Sequence, residues 1–270
     1  TIDTSEVIDY PPSALSFGHS TIQTKGGELK YPVSLGSYGN LSVVTAPPKS
    51  KKSFYCSLLA SVYLSGANNF GGKLSGHRVG RCLIHIDTEQ GHWHASRSFK
   101  RIEDMSITKD VGCYKTFALR TIGYKERLQF IEYILEKNKG KNGLVILDGV
   151  ADIVADVNDL ISCNAAVSKL MQLSTKYDAH ILCVIHQNFG SSKMTGHLGS
   201  FLEKKAELVT SLELNTTNKD LVTVKCMRSR GYPFETFSFT INEFGLPCIW
   251  ADIYDPLEYY VPRTLTKSTL

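Results

Sequence analysis

The chain has 270 residues, 42% of them hydrophobic and 21% charged, which suits one large globular unit or two small ones. Its formal charge of +4 permits contact with nucleic acid without arguing for it. No apolar run approaches the ~20 residues of a membrane span, and no charged-then-apolar leader opens the chain. Seven cysteines without regular spacing read as buried thiols of a reducing compartment rather than disulfides or a zinc site, so a cytoplasmic location and no membrane contact are expected. The chain opens on Thr1, not Met, the mark of a processed or excised piece.

Residues 1–40 are rich in Ser, Thr, Pro and Gly and read as an irregular lead-in with a few short strands. Beyond them, short apolar β-rich runs at 41–44, 82–86, 144–147 and 181–185 alternate with longer stretches at 54–64, 124–136 and 160–177. Those stretches place apolar residues three and four apart, the spacing of helices. Continuous apolar strands alternating with amphipathic helices predict an α/β fold whose mostly parallel sheet is covered on both faces. From about residue 207 the pattern changes to strand-like runs at 208–214, 221–227 and 236–241 with turn residues between them, an antiparallel C-terminal extension. The expected organisation is a lead-in over 1–40, one catalytic unit over 41–250 and a tail over 251–270.

The first motif follows the first apolar run. Ala46-Pro47-Pro48-Lys49-Ser50-Lys51-Lys52-Ser53 leads into a helical pattern at Phe54. It has the order of a phosphate-binding loop, G-x-x-x-x-G-K-S/T between a strand and a helix, with Ala46 and Lys51 where glycine is expected. In such a loop backbone amides and a helix N-terminus surround phosphates, the lysine neutralises their charge, and the hydroxyl ligates Mg²⁺. Lys52 and Ser53 fit those two roles. A basic surface turn is the competing reading of the same residues.

Two strands end in acids. Residues 143–148 close on Asp148, the form of a strand whose aspartate holds Mg²⁺ beside the loop, or of a strand capped before a turn at Gly149. Residues 83–89 close on Asp87-Thr88-Glu89. Glu89 can polarise a water for attack on a terminal phosphate, while Asp87 or Thr88 can equally cap a helix.

Taken in order, loop, strand-Asp-Thr-Glu, strand-Asp and strand-His-Gln resemble the core of the RecA-like P-loop ATPases, in the branch of the RepA- and DnaB-type hexameric helicases. The resemblance covers about residues 41–241, and the altered loop is similar to that of RepA-like ATPases of bacterial mobile genetic elements. It implies ATP and Mg²⁺ as ligands, with Ser53 and Asp148 at the metal and Glu89 as water-activating base. His186 or Gln187 is implied as reader of the γ-phosphate, and residues 188–200 as a mobile loop facing nucleic acid, followed by a helix at 201–206. Arg228 and Arg230, in a segment resembling a K/R-x-R-G hairpin, become fingers that reach a neighbouring subunit's site; a pair of solvated arginines on an edge strand is the alternative. Single-stranded DNA and a homo-oligomer, hexameric in the family, are the implied partners. The implied task is ATP-driven movement along DNA in replication or mobilisation, against an ATP-gated loader with little turnover.

His85, His92 and His94 lie close in sequence but lack the cysteine or acid pattern that completes a zinc site. His85 reads as a strand residue, and His92, Trp93 and Arg97 as neighbours of the nucleotide or of a subunit surface. No G-x-S-x-G elbow supports a serine hydrolase.

Overall fold

The computed structural model describes residues 11–24, 26–107, 111–188 and 190–250. The expected tail over 251–270 and the first ten positions of the lead-in lie outside the described residues.

The lead-in is regular, not irregular. Strands β1 (Ser13–Thr24) and β2 (Gly27–Ser37) form a long antiparallel hairpin, and β4 (Leu74–Gly76) pairs with β1 to complete a small sheet. Gly, Pro and Ser dilute its apolar alternation, yet Leu15, Phe17, Val33 and Leu35 are all buried. Phe17 stacks on Phe237 with ring centroids 4.1 Å apart, which welds the hairpin to the C-terminal strands.

The main sheet uses β3 (Leu41–Ala46), β5 (Cys82–Asp87), β6 (Tyr114–Ala118), β7 (Asn142–Asp148), β8 (His180–His186) and β9 (Leu208–Leu214). It continues through β10 (Val222–Ser229), β11 (Phe237–Ile241) and β12 (Pro247–Trp250). The order is β12-β11-β10-β9-β3-β8-β7-β5-β6. The segment from β9 to β6 is parallel and the three last strands are antiparallel, as the sequence predicts.

Five helices cover the sheet: α1 (Lys52–Ser65), α2 (His92–Met105), α3 (Tyr124–Lys137), α4 (Leu160–Lys176) and α5 (Gly196–Lys205). Alternate residues of β3 and β7 serve the two faces: Val44 and Ile146 join one core with α1 and α2, Val43 and Val145 the other with α3, α4 and α5. All parallel strands reach their carboxyl ends on the same edge, and there α1 and α2 begin. No helix among the described residues is long and apolar enough to cross a membrane.

Candidate nucleotide-binding site

The loop between β3 and α1 adopts the expected strand–turn–helix form. Ala46 is buried at the end of β3, in register with His186 of β8; Pro47, Pro48 and Lys49 are exposed, and Ser50 is buried. Lys51 takes φ 63° and ψ 25°, the left-handed conformation that normally calls for glycine. The lysine thus keeps the glycine-type backbone at the helix entrance. Its side chain leaves along the surface to Asp220, 3.3 Å away in the turn between β9 and β10. No side chain caps α1 and no acid occupies its first turn, so its leading amides are free for an anion.

Lys52 is buried and donates to Pro47 O at 3.0 Å, to Ala46 O at 3.4 Å and to Nδ1 of His186 at 2.9 Å. Burial lowers its pKa, against the pull of Glu89 and Asp148. Ser53 Oγ donates to Asp148 Oδ2 at 3.1 Å. The strand of Asp148 is not the sheet neighbour of the loop's strand, as its expected place beside the loop implies. Strand β8 intervenes, and the Ser53–Asp148 contact reaches over its end.

Glu89 is set by the turn after β5. Asp87, in register with Asp148, accepts from the amides of Glu89 at 3.0 Å and Gln90 at 2.7 Å. Thr88 Oγ1 donates to the carbonyls of Asp148 and Gly149 at 3.1 and 2.9 Å. The capping alternative for Asp87 and the projection of Glu89 are therefore the same turn. Gly149 sits at φ 100°, and a Cβ there would come within 2.8 Å of Glu89 Cγ, so glycine is what lets this turn close against β7. Glu89 Oε2 lies 3.5 Å from His186 Nε2, and that contact lowers the carboxyl's pKa. Burial, with Asp87 and Glu89 nearby, raises Asp148 to about 7.

These side chains line one cavity of about 520 Å³, together with Lys49, Gln90 and three residues of α2, His94, Arg97 and Arg101. Arg101 is a site residue that the sequence reading misses; Phe54, the first residue past Ser53, lies under its guanidinium at 3.9 Å. The clue available was a basic residue at helical spacing from Arg97, downstream of the Glu89 strand.

Other expected residues lie elsewhere. Gln187 faces away from phosphate chemistry: its amide donates to Ala46 O at 3.0 Å and it bridges to Met194. Residues 188–200 are not one loop, since α5 begins at Gly196 rather than 201. Gly196 and Gly199 give that half of the helix a loop-like composition, and Gly199 packs its bare Cα against Met194. Arg228 and Arg230 do not line the cavity. Arg228 Nε donates to Glu203 Oε1 at 2.6 Å, and Arg230 Nη2 donates to Lys205 O at 3.1 Å, both on α5. His85 is buried beside Phe99, while Trp93 is exposed on α2. Among the described residues no cluster of three or more His, Cys, Asp or Glu forms a metal cage.

No family model matches the sequence, and no curated protein matches it. Among solved structures the chain is similar to the RadB recombinase, at TM-score 0.54 and 14% identity over 77% of this chain and 90% of that one. It is similar in the same degree to the ATPase domain of a DnaB-like helicase, at TM-score 0.54 and 14% identity over 78% of this chain and 85% of that one. The fold is that of the RecA-like ATPases.

Proposed function

We propose that the chain is a Mg²⁺-dependent P-loop ATPase acting at a subunit interface on DNA. The observation that carries this reading is the convergence of Lys52, Ser53, Glu89, Asp148 and His186 on one cavity at the carboxyl edge of a parallel sheet. Five side chains from four separate segments meet where a phosphate loop, a metal ligand, a base and a γ-phosphate reader belong.

In this reading Lys52 exchanges the Ala46 and Pro47 carbonyls for phosphate oxygens, and the amides that open α1 hold the phosphates. Ser53 and Asp148 fit a divalent cation: both are hard oxygen donors, and Asp148 is buried beside two further acids that leave it short of countercharge. Mg²⁺ bound there supplies charge neutralisation between phosphate oxygens. Glu89 takes the proton of the attacking water, and His186, released from Lys52, reads the terminal phosphate. Arg228 and Arg230 reach the site of the adjoining copy in an oligomer, hexameric as in the helicases of this fold. Residues 41–250 form the catalytic unit and 251–270 a tail. The unit works in the cytoplasm on single-stranded DNA, in replication or mobilisation of a mobile element.

The test is DNA-stimulated ATP hydrolysis in the wild type and in Glu89→Gln. Loss of a general base lowers turnover by about 10²–10⁴-fold while nucleotide binding persists. Absent hydrolysis with intact ATP binding in the wild type favours the second reading, an ATP-gated loader, for which the left-handed Lys51 in the loop is the specific observation. Equal hydrolysis in both proteins removes Glu89 as the base.

A further inference from the structure

One wall of the loop cavity comes from α2. That helix turns Ala95, Ser98, Ile102 and Met105 into the core, which leaves Arg97 and Arg101, four residues apart, on the side facing the cavity. Arg101 is half-buried; it lies over the Phe54 ring at 3.9 Å and donates from Nη1 to Ser57 Oγ at 3.3 Å. Arg97 is exposed and lies over Trp93 at 4.9 Å. Rings and a hydroxyl are neutral partners. Among the described residues neither guanidinium makes an ion pair with a carboxylate. Burial, with Arg97 as a second cause, lowers Arg101 to about 10, so the two cations stand together against their own repulsion. Such an arrangement costs free energy that an anion placed between them returns.

We propose that Arg101 and Arg97 form an anion-binding pair for the terminal phosphate of a nucleoside triphosphate, supplied by the same chain as the loop; this rests on the nucleotide reading of the cavity. Phosphate is favoured over a partner's acidic side chain because Lys52, Ser53 and the opening amides of α1 face the same space. The planar guanidinium fork matches a phosphate's oxygens in pairs, as an ammonium does not. The chain then tells a triphosphate from a diphosphate with its own residues, before any neighbouring copy contributes.

The experiment is calorimetric titration of the full chain with a non-hydrolysable ATP analogue and with ADP, each with Mg²⁺. Wild type, Arg101→Gln, Arg101→Lys and Arg97→Gln are compared. Arg101→Gln is expected to weaken the analogue about tenfold and ADP by less than about twofold, with Arg97→Gln following in the same sense. Equal weakening of both nucleotides, or none, overturns the pair. Should Arg101→Gln melt at the assay temperature, Arg101→Lys decides: a loss selective for the analogue supports the proposal, and unchanged affinity overturns it. Dissociation of an oligomer in Arg101→Gln with nucleotide selectivity intact assigns the arginines to an acidic partner surface and also overturns it. A wild type that binds neither nucleotide sinks the nucleotide reading itself.

Discussion

The Lys52 ammonium lies 2.9 Å from His186 Nδ1, while Nε2 of the same ring lies 3.5 Å from Glu89 Oε2. One imidazole thus joins the cation of the loop to the acid proposed as base. His186→Ala is expected to lower phosphate release by about tenfold or more, because Glu89 loses the partner that orients it. Nucleotide affinity should stay within about threefold, since Lys52 keeps its charge. Turnover equal to wild type, measured by phosphate release, would separate His186 from the chemistry.

Lys51 carries a side chain in a backbone conformation that disfavours one. Replacing it with glycine relieves that cost, partly offset by the greater freedom of the unfolded chain. The net expectation for Lys51→Gly is a gain of about 0.5–1 kcal/mol in urea unfolding. Its exposed pair with Asp220 adds little. A lower unfolding midpoint would show that this pair outweighs the backbone.

Arg228 and Arg230 hold α5 in different ways, and this separates them. Arg230 donates to carbonyls at the helix's C-terminal end, so Arg230→Ala should cost about 1 kcal/mol of stability. Arg228 makes an ion pair with 68% of its side chain exposed, so Arg228→Ala should leave stability within about 0.5 kcal/mol. If Arg228 acts on a neighbouring copy, mixing Arg228→Ala with Glu89→Gln should restore hydrolysis that neither shows alone. An inactive mixture of properly assembled variants would count against action in trans.

At the opposite edge of the sheet, buried His180 accepts from Ser42 at Nε2, 2.7 Å away, and donates from Nδ1 to Ser37 O at 2.9 Å. Its Nδ1 also lies 3.6 Å from Glu207 Oε1. Burial lowers His180 from 6.5 to about 4 and raises Glu207 from 4.5 to about 7. The stability His180 contributes is full above its unfolded value and is lost as pH falls through about 4. That of Glu207 is full below 4.5 and is lost as pH rises through about 7. The two slopes oppose each other in the wild type. Glu207→Gln removes one, so its stability should climb between about pH 4 and 6.5, by on the order of 2–3 kcal/mol. Chemical denaturation across that range checks it, and a flat profile in the variant would exclude His180 as the titrating group.

The strands that carry Ala46, Asp87, Asp148 and His186 were legible because a strand buried on both faces has no polar side to disguise it. Helix α2 was not, although Ala95, Ser98, Ile102 and Met105 repeat at helical spacing. Its outer face holds so many charges that the stripe is thin, and the histidines drew the eye instead. The neighbours of each strand were also hidden. Residue spacing says nothing of β8 entering between β3 and β7, which is decided by how helices pack across the sheet. The roles of Lys52, Ser53, Glu89 and Asp148 could be read from motif order, but the place of Arg101 against Phe54 depends on two helices meeting side by side.

Strand β8 has a histidine at each end and hydrogen-bonded neighbours along both edges. Its foot is clamped by Ser37 and Ser42 through His180. A strut held in this way cannot slide, so any pull on His186 has to be absorbed beyond its upper end. The give is then concentrated in the turn that Gln187 and Met194 close, and in α5 directly behind it. That helix is the one Arg228 and Arg230 grip from outside, so a nudge at the phosphate pocket and the posture of both arginines share a single lever.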